Sequence, residues 1–265
     1  MNLSSILRYP VKSMRGNATN SADVERRGLH GDRRWMLVDA NARFVTARQH
    51  PRLLRFSAEP IRDGLVLFAP DGSRRDVGEP PLSDTTIVVG IWKSSSRARV
   101  ADDAINAWLS QELGIGVRLV HMADDCERSV SREWSKPGDI VSFADGFPLL
   151  LIGSASLDRL NGKLSTPVTM ANFRPNLVVQ TGTPHIEDTW KRIAIGEAEF
   201  DVVKPCTRCI LTTIDPDRAK PSTDGEPLAT LKQYRRESLG ITFGQNLIPR
   251  SVGEIATGMA VRVIE

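Results

Sequence analysis

Apolar residues recur along the chain in short blocks. Trp35 to Val38, Leu65 to Phe68, Thr86 to Val89 and Val117 to Val120 are each bounded by Gly, Pro, Asp or Asn. Blocks of this length and punctuation predict β-strands. One stretch has the other period: Ala101, Ala104, Ile105, Trp108 and Leu109 fall at helical spacing, with Gly114 as a stop. That pattern predicts an amphipathic helix over Ala101 to Leu113, with Trp108 in the core. Cys126 to Asp139 follow neither period and read as a loop or hinge, which places a boundary between a unit of residues 1–125 and one of residues 126–265. Beyond it come a buried strand at Pro148 to Ile152 and a short helix begun by Ser154 or Ser156 and closed by Gly162. Strand blocks follow at Asn176 to Gln180, Arg192 to Ile195, Phe200 to Val203, Cys209 to Thr213 and Met259 to Ile264. The predicted fold class is mainly β with a few helices (α+β). Two β-rich units are expected as barrels or closed sheets, because antiparallel sheets of this size must hide their edges.

Composition narrows the class. The 265 residues are 40% hydrophobic and 25% charged, with mean hydropathy −0.23, and no 18-residue apolar stretch occurs. A membrane span is therefore not expected. Arg8 and Lys12 interrupt the region where a signal peptide would be apolar, so a cytoplasmic location is expected. Three cysteines cannot build a disulfide framework, and Cys126, Cys206 and Cys209 read as reduced thiols. The net charge of +3 hides an asymmetry: Met1 to Arg55 hold 11 Lys and Arg against 4 Asp and Glu, while the remainder is net negative. Such a segment suits a solvated surface, nucleic acid or a small phosphorylated ligand. With no helix-turn-helix or zinc-finger spacing and only 6% aromatic residues, a nucleic-acid partner is not expected.

Cys206-Thr-Arg-Cys209 is the chemical motif of the chain. Zinc would need two further ligands, and Cys126, His30, His50, His121 and His185 show no second paired spacing. A redox dithiol would open a helix, whereas Ile210 to Asp215 is β-branched and strand-like. A single thiolate, as metal ligand or nucleophile beside Lys204 and Arg208, and a buried inert cysteine both stay open on the residues alone.

Five separated motifs occur in order: Tyr9-Pro-Val-Lys-Ser13, Asp32-Arg33 with Trp35, Val45-Thr-Ala-Arg-Gln49, Asn172-Phe-Arg-Pro-Asn176, and Cys206 to Thr213 followed by Asp215-Pro-Asp217. Together they resemble the MOSC proteins, in particular the amidoxime-reducing components and their bacterial relatives, from about Leu3 to Val263. The resemblance implies a MOSC N-terminal β-barrel-like domain followed by a MOSC β-barrel. It further implies binding of molybdenum cofactor, a pterin dithiolene bearing a phosphate, with Cys209 as catalytic residue and metal ligand. Lys12, Ser13, Arg33, Asp145, Arg174, Asn176, Thr207 and Arg208 carry over as cofactor contacts, Cys206 as a packing or orienting residue, and Cys126 with no role. Arg48 stands in a family motif without an assigned role.

The implied chemistry is reduction of small N-hydroxylated compounds by N–O cleavage, with Asp145, Asp215 and His50 as candidate proton donors. Electrons are expected from an external ferredoxin-, flavin- or cytochrome-type protein, because no four-cysteine pattern follows Cys209. The rival class is a metal-free sulfur carrier using a cysteine persulfide. MOSC relatives are also linked to pyridoxal phosphate, which would need a Schiff-base lysine. Two departures stand out: Asn246 where eukaryotic members have Tyr, and Gly146-Phe147 where polar residues follow the aspartate.

Overall fold

A computed structural model describes residues 1–265. The chain is mostly β, with 39% of residues in strands and 16% in helices, so the periodicities gave the right class. The predicted helix forms over Asp103–Leu113. Asp102 caps it by accepting from the Ala104 N–H at 2.7 Å, and Gly114 ends it at φ 69°. Ile105, Trp108 and Leu109 face the core, and Asn106 Oδ1 accepts from the Leu119 N–H at 2.8 Å, tying the helix to the strand Arg118–His121.

The main sheet has nine strands. Asn2–Arg8 pairs antiparallel with Leu177–Gln180, which runs parallel to Leu149–Gly153, the crossover being made by the helix Ser154–Asn161. Gly240–Pro249, Ala198–Thr207, Arg192–Ile195 and Val261–Val263 continue the order. Asn17–Thr19 lies outside Asn2–Arg8, and the sheet curls until the start of Asn2–Arg8 meets the last strand: the Val261 N–H donates to Met1 O at 2.8 Å and the Leu3 N–H to Met259 O at 2.9 Å. Closure of this kind removes exposed edges. A separate four-stranded sheet runs Trp35–Val38, Arg118–His121, Ser94–Val100 and Ile87–Ile91.

Two large apolar cores and three smaller ones result. Of the large cores, one gathers Val11, Trp35, Phe56, Leu65, Trp108 and Leu119; the other packs Leu3, Ile6 and Val24 with Leu149, Leu177, Phe200 and Leu247. The segment around residue 126 joins the strands Arg118–His121 and Leu149–Gly153, and the first strands pair across it with strands beyond Leu149. No helix is long and apolar enough to cross a membrane.

One predicted strand is corrected. Cys209 to Thr213 does not continue the strand Ala198–Thr207; it turns through a 3-10 helix at Ile210–Thr213. The threonines explain the difference. Thr212 Oγ1 donates to Cys209 O at 2.9 Å and Thr213 Oγ1 to Ile210 O at 2.8 Å, so hydroxyls satisfy locally the carbonyls that a strand would offer to a neighbour.

Candidate functional site

The cavity draws its lining from the first fifty residues and from the second half of the chain. Lys12, Ser13, Arg33, Asp145, Arg174, Asn176, Thr207, Arg208 and Cys209 all line it, joined by Arg48, Cys206 and Asn246. Five cations face it against the single carboxylate of Asp145. Three of the site residues, Ser13, Arg33 and Arg174, have φ between 49° and 71°. Side chains other than glycine seldom hold such angles, and they cluster where a site over-determines the backbone.

Cys209 stands at the cavity wall between the strand Ala198–Thr207 and the 3-10 helix Ile210–Thr213, half-buried. Arg48 Nε donates to its Sγ at 3.1 Å, and Arg48 Nη2 donates to Asp145 Oδ2 at 2.8 Å. Lys12 Nζ donates to Asp145 Oδ1 and, at 2.8 Å, to Phe143 O. Burial would raise the Asp145 pKa, but Lys12 and Arg48 outweigh it and hold the carboxyl well below the usual carboxylate range. Lys12 is 5% exposed, and burial, partly offset by Asp145, lowers its pKa to about 8.

Arg174 differs from its neighbours. Its Nη2 is buried with no hydrogen-bond partner, its guanidinium carbon lies 4.3 Å from the Tyr9 ring centroid, and burial lowers its pKa to about 10. A buried donor without a partner costs free energy, so the Arg174 guanidinium is held at this wall unsatisfied. Arg33, by contrast, is engaged. Its Nη1 donates to Asp32 Oδ2 at 2.5 Å and to Asn176 Oδ1 at 3.1 Å, and its guanidinium carbon lies 4.5 Å from the same Tyr9 ring centroid.

Two expected cofactor contacts spend their polar atoms on the frame. Asn176 Nδ2 donates to Leu7 O at 3.1 Å, while its Oδ1 also accepts from the Leu150 N–H at 3.3 Å. Arg208 donates to Phe243 O through Nε and Nη2, at 2.8 and 2.6 Å, and to Phe173 O through Nη1 at 2.9 Å. The residue after Phe243, Gly244, sits at φ 76° with its would-be Cβ 2.6 Å from Leu151 O, a position only glycine fills. The cation on the Cys209 sulfur is therefore Arg48, not Arg208 or Lys204, whose Nζ lies 4.9 Å from the Trp134 ring centroid instead.

The remaining candidates separate. Cys206 lines the cavity but packs against Leu150, Phe173 and Phe243, and burial raises its pKa. Cys126 is buried elsewhere, among Met36, Val89 and Phe143. Asp215 lines a different groove, where its Oδ1 accepts from the Asp217 and Arg218 N–H groups as a turn former, and His50 does not line the cavity. Lys12 is the one lysine on the cavity wall, and its amine is committed to Asp145 and Phe143, so the pyridoxal phosphate expectation gains no support.

Comparison with known proteins gives the family. Residues 1–116 match the MOSC N-terminal beta barrel domain and residues 138–262 the MOSC domain. Mitochondrial amidoxime-reducing component 1 of Mus musculus is 34% identical over 238 residues, covering 86% of this chain and 69% of its own. The Homo sapiens protein of the same name is 33% identical over 275 residues, 97% of this chain and 81% of its own. The molybdenum cofactor sulfurase of Oryza sativa subsp. japonica is 31% identical over 92% of this chain but only 32% of its own length.

The chain belongs to the MOSC-domain family.

In this MOSC chain the sequence left two contributors without a role. Arg48 stood in a recognisable motif, so its signal was present although its target was not. Arg128 gave none: it lies in the polar stretch after Cys126, yet it is 4% exposed and donates to Ser142 O at 3.0 Å and to Ala144 O, bracing the segment that carries Asp145.

Proposed function

We propose that the cavity binds molybdenum cofactor, with Cys209 as the protein's ligand to the metal. We further propose that the chain reduces N-hydroxylated compounds by N–O cleavage, taking electrons from a separate ferredoxin-, flavin- or cytochrome-type protein. The observation that carries this reading is a half-buried sulfur inside a cavity with five cations, one of them, Arg174, unpaired. The residues fit such a group. The chain offers no cluster of three His, Cys, Asp or Glu residues that could hold a metal by itself, and a metal arriving with dithiolene sulfurs needs one soft thiolate from the protein. The relatives named amidoxime-reducing component support the reaction class.

When bound, the cofactor supplies the two-electron reduction of the N–O bond. The chain's own residues do the rest. Arg174 would donate to the cofactor's phosphate, as a planar fork suits an anion of that shape, and Ser13 and Thr207 would offer hydroxyls from the lining of the same cavity. Arg33, Asn176 and Arg208 keep that wall in place through the bonds described above. Oxygen leaves as water, so protons are consumed. Asp145 is held ionised and accepts hydrogen bonds, whereas Lys12 Nζ, with its pKa at about 8, holds a proton it can release near neutrality. Asn246 Nδ2 is committed to Lys204 O at 3.2 Å, and Phe147 and Leu211 give the cavity an apolar side for the substrate's carbon frame.

The test is expression in a host that makes the cofactor. About one molybdenum per chain and reduction of an amidoxime with a chemical electron donor are expected, with activity abolished in Cys209→Ser. Protein free of molybdenum that instead accumulates labelled sulfur on Cys209 would contradict this reading and favour the metal-free persulfide carrier.

A further inference from the structure

The hairpin joining the strands Ile87–Ile91 and Ser94–Val100 turns through two residues, Trp92 and Lys93, and Trp92 stands there at φ 55°. Two-residue hairpin loops favour Gly, Asn or Asp at positive φ, and a bulky aromatic is an outlier there. Burial does not account for it, because Trp92 is 56% exposed. Its contacts do. The Arg48 guanidinium carbon lies 4.7 Å from the Trp92 ring centroid, and the Phe44 ring meets Trp92 edge-on at 4.9 Å. Lys12 Nζ lies 5.5 Å from the Phe44 centroid. The same two cations, Lys12 and Arg48, grip Asp145, and Arg48 also donates to the Cys209 sulfur. Two rings therefore back two cations, and the cations hold the one carboxylate of the cavity and its thiol.

We propose that Trp92 is a positioning residue: stacked on Arg48, it fixes the guanidinium so that Nε meets Cys209 while Nη2 meets Asp145. Arginine is a long, rotamer-rich side chain, and ordering it costs conformational entropy. Hydrogen bonds at its edge leave the guanidinium plane free to tip, and a flat ring against its face removes that freedom. The effect on turnover rests on the proposed function; the ordering of Arg48 does not.

The experiment follows exchange of the Arg48 Nε–H with water by NMR in the full-length, nitrogen-15-labelled protein without cofactor, the signal being assigned by its loss in Arg48→Lys. Exchange should be slow in the wild type and in Trp92→Phe. In Trp92→Gly it should accelerate roughly two- to fivefold, the factor that corresponds to a cation–π contact at an exposed site. Glycine accepts φ 55° without strain, which offsets the lost ring contacts, so the melting temperature of this variant should change little, which separates positioning from folding. In cofactor-loaded protein, Trp92→Gly should lower kcat by a similar factor and have no further effect in an Arg48→Gln background. Unchanged Arg48 exchange in Trp92→Gly would overturn the proposal. Multiplying, independent effects of the two substitutions would overturn its link to turnover. Faster exchange in a loaded protein that reduces no N-hydroxylated compound would uphold the positioning of Arg48 and refute the proposed function alone.

Discussion

Replacing Lys12 by Met tests the electrostatics of the cavity without reference to any ligand. In the folded chain burial lowers the Lys12 pKa from its ordinary 10.5 to about 8, even with Asp145 against it. In the unfolded chain the amine regains its ordinary value. Between pH 8 and 10.5 the unfolded chain therefore holds a proton that the folded chain has released, so raising the pH through this window stabilises the fold. At about 1.4 kcal/mol per pH unit, the whole window is worth about 3 kcal/mol, of which about 2 kcal/mol falls between pH 7.5 and 10. Tyr9, raised to about 12 by burial, works in the opposite sense above pH 10, so the comparison stops there. The assay is urea unfolding of cofactor-free wild type and Lys12→Met at pH 7.5, 9 and 10. Wild type should gain about 2 kcal/mol relative to the variant over that range. Parallel curves would refute the claim that Lys12 is buried at a cost beside Asp145.

Three further outcomes follow from single contacts. Arg174→Met removes an unpaired buried cation, so the cofactor-free variant should unfold within about 1 kcal/mol of wild type while losing binding of inorganic phosphate measured by calorimetry; strong destabilisation would show that Arg174 is structural. Glu187 is 0% exposed and its Oε1 accepts from the Gly153 N–H at 3.0 Å and from Ser156 Oγ at 2.7 Å, at the start of the helix Ser154–Asn161. Glu187→Ala leaves two buried donors without a partner and should cost about 2–4 kcal/mol in urea unfolding; a neutral result would remove the capping role. Gly244→Ala puts a methyl group against Leu151 O at φ 76°, and should destabilise by at least about 1 kcal/mol in the same assay.

Periodicity revealed the elements because it reports local burial. The stripe from Ala101 to Leu109 and the alternation of short apolar blocks needed no knowledge of partners. Pairing was another matter: nothing in Leu3 or Ile6 announces that they face Val179 and Leu177, since register depends on chain segments some 170 residues away. Cys209 to Thr213 failed as a strand because β-branched composition reports strand propensity while threonine hydroxyls can also close a turn. Motif matching named side chains that line one cavity, yet could not say which donors were free. Arg208 and Arg174 look equivalent as letters; one is spent on Phe243 and Phe173 carbonyls and the other has an open Nη2. Burial and hydrogen-bond accounting, which only three dimensions supply, separate them.

The function proposed for this chain requires the sulfur of Cys209 to meet a metal. X-ray absorption at the molybdenum edge of protein purified from a cofactor-producing host should show three sulfur neighbours in the wild type and two in Cys209→Ser. The same count in both, or no molybdenum in either, would contradict it.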